Sequence, residues 1–224
     1  MKVDMPEFRF PDPRHASPEG IVAIGGKLEP AILLAAYRAG IFPWPIDDLQ
    51  EFPMTWFCPP QRGVLEFSKL TIPRRLARER ARSQWNITID KDCPAVIGAC
   101  AATKRAGETG TWIIPEMIEA YCELHRLGYV HSVEVWDADE LIGGLYGVAV
   151  DGVFAGESMF HKRPGASKLA LLHLIDHLSS RGAEWIDTQT ESPLMSMLGG
   201  SVIEREAYLK LLEETRRRGL KLFD

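Results

Sequence analysis

The stretch VHSVEVWDADELIGGLYGVAVDGVFAGESMF, residues 130–160, decides the fold class. It contains three apolar segments rich in Val, Phe and Tyr, which is the composition of β-strands. The charged segment 137–140 separates the first two, and Asp151-Gly152 separates the last two; Asp-Gly is a strong signal for a tight hairpin turn. The stretch therefore predicts a meander of antiparallel strands at 130–136, 141–150 and 153–160.

Helical patterns surround this meander. Gly128 is placed to end one helix, and Ser167 is the expected N-cap of another. The predicted helices cover 92–102, 115–127, 167–180 and 204–218, and short strands are predicted at 85–89 and 184–189. Helices before and after an antiparallel meander indicate an α+β domain. We expect it to span residues 63–224.

The first quarter of the chain differs in composition. Ten of the fifteen prolines lie in the first 60 residues. Because proline fixes φ and removes a hydrogen-bond donor, we expect loops and little regular structure there. One helix is predicted, which begins near Pro30 and ends at Gly40. This region, residues 1–62, is the expected small N-terminal domain.

Charge excludes a generally basic protein but leaves room for a basic patch. The chain has 26 Lys and Arg against 31 Asp and Glu, a net charge of −5. Five arginines nevertheless fall between residues 74 and 82. On a helix, Arg74, Arg78 and Arg82 would share one face, with Arg75 beside them. Such a face suits a nucleic-acid phosphate backbone, and the alternative is an ordinary solvated helix.

The expected compartment is the cytosol. The start of the chain has no apolar signal segment, and the longest nearly uncharged apolar run, Leu141–Val150, falls short of the ~20 residues that a membrane span needs. None of the four cysteines forms a C-x-x-C pair, so reduced thiols are expected. His173 and His177 have metal-ligand spacing, but no further ligand is evident and no metal site is predicted.

Eight segments together carry a resemblance to a known family. They are EGIVAIGGKLEPAILLAAYRAGIFPW (19–44), TWFCPP (55–60), TWI (111–113), HSVEVW (131–136), LIGGLYGV (141–148), GESMF (156–160), ASK (166–168) and IDTQ (186–189). Their order and spacing closely resemble those of the leucyl/phenylalanyl-tRNA–protein transferases. The resemblance covers roughly residues 10–210.

The resemblance implies both a fold and an activity. The implied fold is a small N-terminal domain joined to a domain like that of the GCN5-related N-acetyltransferases, with a central, mostly antiparallel sheet flanked by helices. The implied activity is transfer of Leu, Phe or Met from aminoacyl-tRNA to the N-terminal Lys or Arg of a protein, which marks that protein for degradation. A monomer without metal or organic cofactor is implied.

Three polar residues are the expected reaction centre. Asp187 and Gln189 lie two residues apart on a predicted strand and so point to the same face. By resemblance to the family's D-x-Q motif they lie at the site of chemistry, and Glu157 resembles the glutamate that helps to hold the substrates. Our hypothesis is that Asp187 orients Gln189, which contacts the attacking amine or the terminal ribose. An Asn at position 187 is then expected to slow transfer without unfolding the protein.

The donor's apolar side chain and its terminal adenosine need their own contacts. Residues that match the family's apolar pocket are Leu145, Phe154, Leu174 and Leu178. Typical relatives carry Met at the first of these and Phe at the last two, so this pocket is expected to be wider or reshaped. Aromatic residues that we expect to stack against the 3′ adenosine are Tyr37, Trp44 and Trp112.

Two other functions remain open. An acyl-CoA-dependent N-acyltransferase would share the expected fold, but the segment 163–168 lacks the Q/R-x-x-G-x-G/A spacing of a pyrophosphate-binding loop. A non-catalytic RNA- or peptide-binding module would keep the arginines and aromatic residues but would not need Asp187 and Gln189.

Overall fold

The computed structural model describes residues 8–45, 53–103 and 113–224. The strands are β1 (Ile21–Ile24), β2 (Phe42–Trp44), β3 (Thr55–Phe57), β4 (Gln61–Glu66), β5 (Asn86–Ile89), β6 (Val130–Asp137), β7 (Glu140–Val150), β8 (Val153–His161), β9 (Trp185–Gln189) and β10 (Ser201–Glu204). The helices are α1 (Pro30–Arg38), α2 (Arg74–Arg82), α3 (Cys93–Ala102), α4 (Pro115–Arg126), α5 (Ala166–Ser180), α6 (Pro193–Met197) and α7 (Arg205–Arg217).

A seven-stranded sheet forms the larger part of the protein, in the order β10-β4-β9-β8-β7-β6-β5. The predicted meander is its centre, since β6, β7 and β8 pair with one another antiparallel. Strands β8 and β9 are the parallel neighbours, with Ala155 opposite Asp187. Helix α5 connects them, as a parallel pair requires. The α+β prediction is confirmed.

The turn between β7 and β8 follows from its two residues. Asp151 has φ of 48° and Gly152 has φ of 83°, which is the double left-handed conformation of a hairpin turn. Close packing also fixes a glycine inside β7: a Cβ on Gly147 would lie 2.5 Å from ring atoms of Phe154. The meander therefore depends on local turn chemistry as well as on its apolar pattern.

The N-terminal region contains more regular structure than expected. Strands β1, β3 and β2 form a small antiparallel sheet, so the prediction of little regular structure was incomplete. Helix α1 begins at Pro30 as predicted, and Gly40 follows its end with φ of 76°. The expected boundary after residue 62 falls within β4 and stays a prediction.

Two groups of buried apolar side chains hold the layers together. One joins α1, α3, α4 and α7 to the small sheet and to one face of the large sheet. The other lies between α5 and the opposite face. Because the first group spans both sheets, the N-terminal region packs directly against the larger domain.

Several boundaries differ from the sequence-based expectation. Helix α5 begins at Ala166 after Gly165, whose φ is 91°, and Ser167 is buried inside the helix instead of capping it. Strands β4 and β10 and helix α6 were not predicted; all three are short or irregular in pattern. Among the described residues, no helix has the length and apolar character needed to cross a membrane.

Candidate active site

A cavity of 710 Å³ is lined by residues of β8 and β9 on both sides of the paired position Ala155–Asp187. Past Ala155 and Asp187 the two strands no longer pair, and both line the cavity with their following residues. Helices α5 and α6 supply further walls. The apolar lining includes Leu145, Phe154, Leu171, Leu174, Ile186 and Met195, and the polar lining includes Glu157, Thr188, Gln189, Thr190 and Ser192. One cavity thus has a hydrophobic part and a hydrogen-bonding part.

Glu157 enters the cavity because β8 is irregular at this point. In the pairing of β7 with β8, Tyr146 lies opposite Ser158 and Gly147 lies opposite Gly156, so Glu157 has no partner residue in β7. Such a bulge re-aims a side chain, and bulges are common next to active sites. Because of this irregular register, the Glu157 side chain does not follow the regular alternation of side chains between the two faces of the sheet.

Two tyrosines and an amide hold the Glu157 carboxylate. The Tyr37 hydroxyl lies 2.7 Å from Oε1, and the Tyr121 hydroxyl donates to Oε2 over 3.1 Å. Gln189 Nε2 donates to Oε1 over 2.6 Å. The two tyrosine hydroxyls also lie 2.6 Å from each other. Residues from α1, α4 and β9 therefore converge on one carboxyl group.

Asp187 is surrounded by donors. Arg62 Nε and Nη2 donate to its two carboxylate oxygens over 2.8 and 2.6 Å. Tyr208 donates to Oδ2 over 2.8 Å, and the Gln189 backbone N–H donates to Oδ1 over 2.9 Å. Asp187 and Arg62 are each only 1% exposed. The carboxylate is an internal anchor with a donor in each of its four principal acceptor directions.

The backbone of Gln189 is unusual. Its φ is 62°, in the left-handed region that non-glycine residues seldom adopt. The hydrogen bond from its N–H to Asp187 holds this conformation. Asp187 thus contacts the Gln189 backbone, and the Gln189 side-chain amide in turn contacts Glu157; that Asp187 orients Gln189 stays a hypothesis.

Burial and neighbouring charges change the pKa values of Glu157 and Arg62. Withdrawal of the Glu157 carboxyl from solvent raises its pKa to about 7, although the hydrogen bonds from Tyr37, Tyr121 and Gln189 oppose that change. Burial alone would lower the pKa of Arg62, but the adjacent Asp187 carboxylate outweighs burial and raises it. Arg62 therefore remains a cation beside Asp187.

The comparisons with known proteins agree on one family. Residues 64–213 match the sequence profile of the leucyl/phenylalanyl-tRNA protein transferases, and residues 26–60 match the profile of their N-terminal domain. The chain belongs to this family. A leucyl/phenylalanyl-tRNA–protein transferase from Maridesulfovibrio salexigens is 44% identical over 206 residues, which are 92% of this chain and 85% of the relative. The corresponding protein from Syntrophotalea carbinolica is 46% identical over 208 residues, covering 92% and 89%.

Of the four predicted pocket residues of this transferase, three line the cavity and one does not. Leu145, Phe154 and Leu174 line the cavity. Leu178, on the same helix as Leu174, is fully buried but is absent from the cavity wall. Its packing partners belong to the core between α5 and the sheet.

The predicted aromatic contacts also divide. Trp44 lines the cavity and is half-buried. Tyr37 is 6% exposed, and its hydroxyl contacts Glu157 and Tyr121. Because its ring is buried, we replace the expected stacking role of Tyr37 with a role in holding Glu157. Trp112 lies outside the described residues.

The arginine tract forms helix α2. A helix was expected both for a phosphate-binding face and for an ordinary solvated helix, so this observation does not distinguish the two. Its buried contact is Leu76. The four proposed phosphate ligands are solvent-exposed; they are Arg74, Arg75, Arg78 and Arg82. Arg75 pairs with Glu79 over 2.8 Å, which reduces the positive charge at that position. The phosphate-binding role stays a prediction.

Sequence reasoning missed Arg62, Tyr121 and Tyr208. Arg62 directly precedes the buried apolar run Gly63–Leu65, and a charged side chain in that place signals a buried ion pair. Tyr121 continues the buried face of α4, so only its hydroxyl distinguishes it from core residues. In the described residues, no cluster of three or more His, Cys, Asp and Glu side chains is arranged to hold a metal ion.

Proposed function

We propose that the protein transfers leucine from aminoacyl-tRNA to the N-terminal Lys or Arg of acceptor proteins and so marks them for degradation. Membership of the leucyl/phenylalanyl-tRNA protein transferase family supports this activity. Phenylalanine and methionine as further donors, and a monomeric enzyme, are parts of the proposal that rest on the family resemblance.

The cavity is the observation that carries the proposal. Its apolar part accepts the donor side chain, since burying a leucine side chain is worth about 1.5–3 kcal/mol. Leu145, Phe154 and Leu174 come from β7, β8 and α5, so three separate elements shape this part. Glu157 and Gln189 lie in the wall of the same cavity. The ester carbonyl of a leucine bound there would lie close to these polar groups.

The reaction itself needs little activation. An aminoacyl ester is reactive, and an N-terminal amine with a pKa of about 7.7–8.0 is partly neutral at pH 7. Holding the two partners in line can contribute about 7–11 kcal/mol to lowering the barrier. The hydrogen-bonded frame of Asp187, Gln189 and Glu157 supplies rigid placement of this kind.

Contacts to the rest of the tRNA are proposed for two further features. Trp44, which lines the cavity, is proposed to stack on the terminal adenine. The exposed arginines of α2 are proposed to contact backbone phosphates.

The direct experiment mixes the protein with radiolabelled Leu-tRNA and a peptide that begins with Arg. We expect label to enter the peptide, and an N-acetylated copy of the peptide should remain unlabelled because it lacks a nucleophilic amine. Absence of transfer to either peptide would refute the proposal. A titration with acetyl-CoA tests the acyl-CoA alternative in parallel.

Leu174 and Leu178 offer a matched pair for the donor pocket. Both are buried on α5, one turn apart, but only Leu174 lines the cavity. Each Leu→Ala change should cost about 2–5 kcal/mol of stability. Only Leu174→Ala should in addition change the relative rates with Leu-tRNA and Phe-tRNA. Equal changes in both variants would show that the cavity does not select the donor side chain.

A further inference from the structure

We infer that Glu157 accepts the proton that the attacking amine loses, with Tyr37 and Tyr121 forming a closed ring of hydrogen bonds around that proton. The inference rests on the proposed transferase function. It assigns the proton to Glu157 and leaves Asp187 with a positioning role.

Glu157, Tyr37 and Tyr121 make more contacts with one another than the two tyrosine hydrogens can fill. Three contacts join the ring: Tyr37 to Tyr121 at 2.6 Å, Tyr37 to Glu157 Oε1 at 2.7 Å and Tyr121 to Glu157 Oε2 at 3.1 Å. Each tyrosine hydroxyl carries one hydrogen and an ionised Glu157 carries none, so the ring then has only two hydrogens for three contacts. A protonated Glu157 provides the third, and every contact can then be a hydrogen bond. The ring has room for one more proton.

Asp187 has no acceptor position left for a further proton. Arg62, Tyr208 and the Gln189 N–H fill its acceptor positions, and Arg62 remains a cation. A proton on Asp187 would have to displace one of these donors and leave the buried guanidinium unpaired, which is costly. Asp187 therefore serves as a fixed negative partner for Arg62.

The backbone is irregular at both Glu157 and Gln189. Glu157 lies at a β-bulge and Gln189 has a left-handed φ, and the side chains of these two irregular residues meet at 2.6 Å. Strained or irregular backbone tends to persist where function requires it. Gln189 Nε2 donates to the Glu157 carboxylate, and this hydrogen bond orients the Gln189 amide at the edge of the cavity.

The groups that face Glu157 come from each neighbouring element. Tyr37 lies on α1, Tyr121 on α4 and Asp187 on β9, and Tyr146 of β7 lies in the same cavity wall. Removal from water raises the pKa of Glu157 to about 7, with a smaller contribution in the same direction from the charge of Asp187. A group with a pKa near the working pH is well matched to receiving and returning a proton.

The step is balanced without any further reactant. The amine nitrogen forms a bond to the ester carbonyl carbon, and its proton passes to Glu157. The bond between that carbon and the ribose oxygen then breaks, and Glu157 returns the proton to the leaving ribose oxygen. The products are a peptide bond and a free ribose hydroxyl, and Glu157 is again ionised.

The test measures single-turnover transfer between about pH 5.5 and 9, in the wild type, Glu157→Gln and Glu157→Asp. Two acceptors are used, an Arg-initiated peptide and an aminooxy-terminated analogue of lower basicity. We expect the wild-type profile of transfer rate against pH to show a sloping limb near pH 7, and this limb should lie at the same pH with both acceptors. Glu157→Gln should lose the limb and about 10²–10⁴-fold in rate, whereas Glu157→Asp should keep a limb and recover part of the rate.

Binding of a non-hydrolysable leucyl-adenosine analogue is measured in each variant, and rates are compared at saturating donor, so that a loss of affinity is not counted as a loss of proton transfer. A Glu157→Gln rate within about threefold of the wild type, or an unchanged limb, would overturn the inference. If that variant fails to fold, a wild-type limb that moves with the acceptor overturns it instead. Wild-type transfer distinguishes this failure from failure of the proposed function, in which no labelled peptide forms at all.

Discussion

Replacing Asp187 with Asn should destabilise the protein, which revises the expectation that this change would slow transfer without unfolding. Asp187 and Arg62 are each 1% exposed, and the pair is joined by two hydrogen bonds. An Asn removes the negative charge and turns N–H groups toward the Arg62 donors. The guanidinium is then buried without a counter-charge.

The expected cost follows from this burial. Removing one member of a buried ion pair typically costs about 3–5 kcal/mol. In a chain of this length that corresponds to a drop of about 6–20 °C in Tm. Gln189 should also lose its backbone anchor, so we expect transfer to fall together with stability.

Urea unfolding followed by circular dichroism measures the change. Asp176→Asn is the matched control, because Asp176 pairs with Arg80 at an exposed position where the median cost of losing a pair is about 0–1 kcal/mol. The double variant Arg62→Met, Asp187→Leu should be more stable than Asp187→Asn, since it leaves no unpaired charge. An Asp187→Asn protein that unfolds within about 1 kcal/mol of the wild type but cannot transfer would refute the anchoring role.

The remaining predictions concern the proton, the phosphates and the adenosine. The free energy of unfolding should decrease as the pH rises from about 4.5 to 7, by at most about 1.4 kcal/mol per pH unit, because the folded state keeps a proton on Glu157 that the unfolded state has released. Glu157→Gln should lack this contribution. The same pH dependence of stability in the variant and the wild type would contradict the prediction. Glu substitutions at Arg74 and Arg78 should reduce the slope of log K for tRNA binding against log salt concentration by about 0.7–0.9 per lost phosphate contact, while Arg217→Glu on α7 should not. Equal slopes in all variants would make α2 an ordinary solvated helix. Trp44→Ala should weaken binding of a leucyl-adenosine analogue by about 1–3 kcal/mol, and unchanged affinity in a calorimetric titration would exclude stacking.

The central sheet was predictable because its signals are local. The Asp151-Gly152 turn and the apolar segments beside it define β7 and β8 within about 20 residues of sequence. Helix α1 likewise has its start at Pro30 and its stop before Gly40 close together. Strand β4 was missed because its sequence, Gln-Arg-Gly-Val-Leu-Glu, lacks the alternation of polar and apolar residues that marks a strand.

The candidate site was only partly predictable, because its contacts join distant parts of the chain. Arg62 is 125 residues from Asp187, and Tyr121 is 36 residues from Glu157. Nothing local to these residues indicates which partner they will meet. The family resemblance identified Asp187, Gln189 and Glu157 as a group, but their division into an anchor and a proton acceptor depends on three-dimensional contacts.

Leu174 and Leu178 illustrate the same limit at the pocket. Both fit the pattern of an apolar helix face, and both end up buried. Only the three-dimensional structure shows that Leu174, and not Leu178, meets the cavity. A helical pattern can predict burial, but it cannot show which buried position lines a cavity.

A crystal structure with a non-hydrolysable leucyl-adenosine analogue tests the central claim most directly. The account predicts that the leucine side chain contacts Leu145, Phe154 and Leu174, with its carbonyl carbon beside Glu157 and Gln189. An analogue bound with its leucine outside this cavity, while the cavity stays empty, would contradict the account.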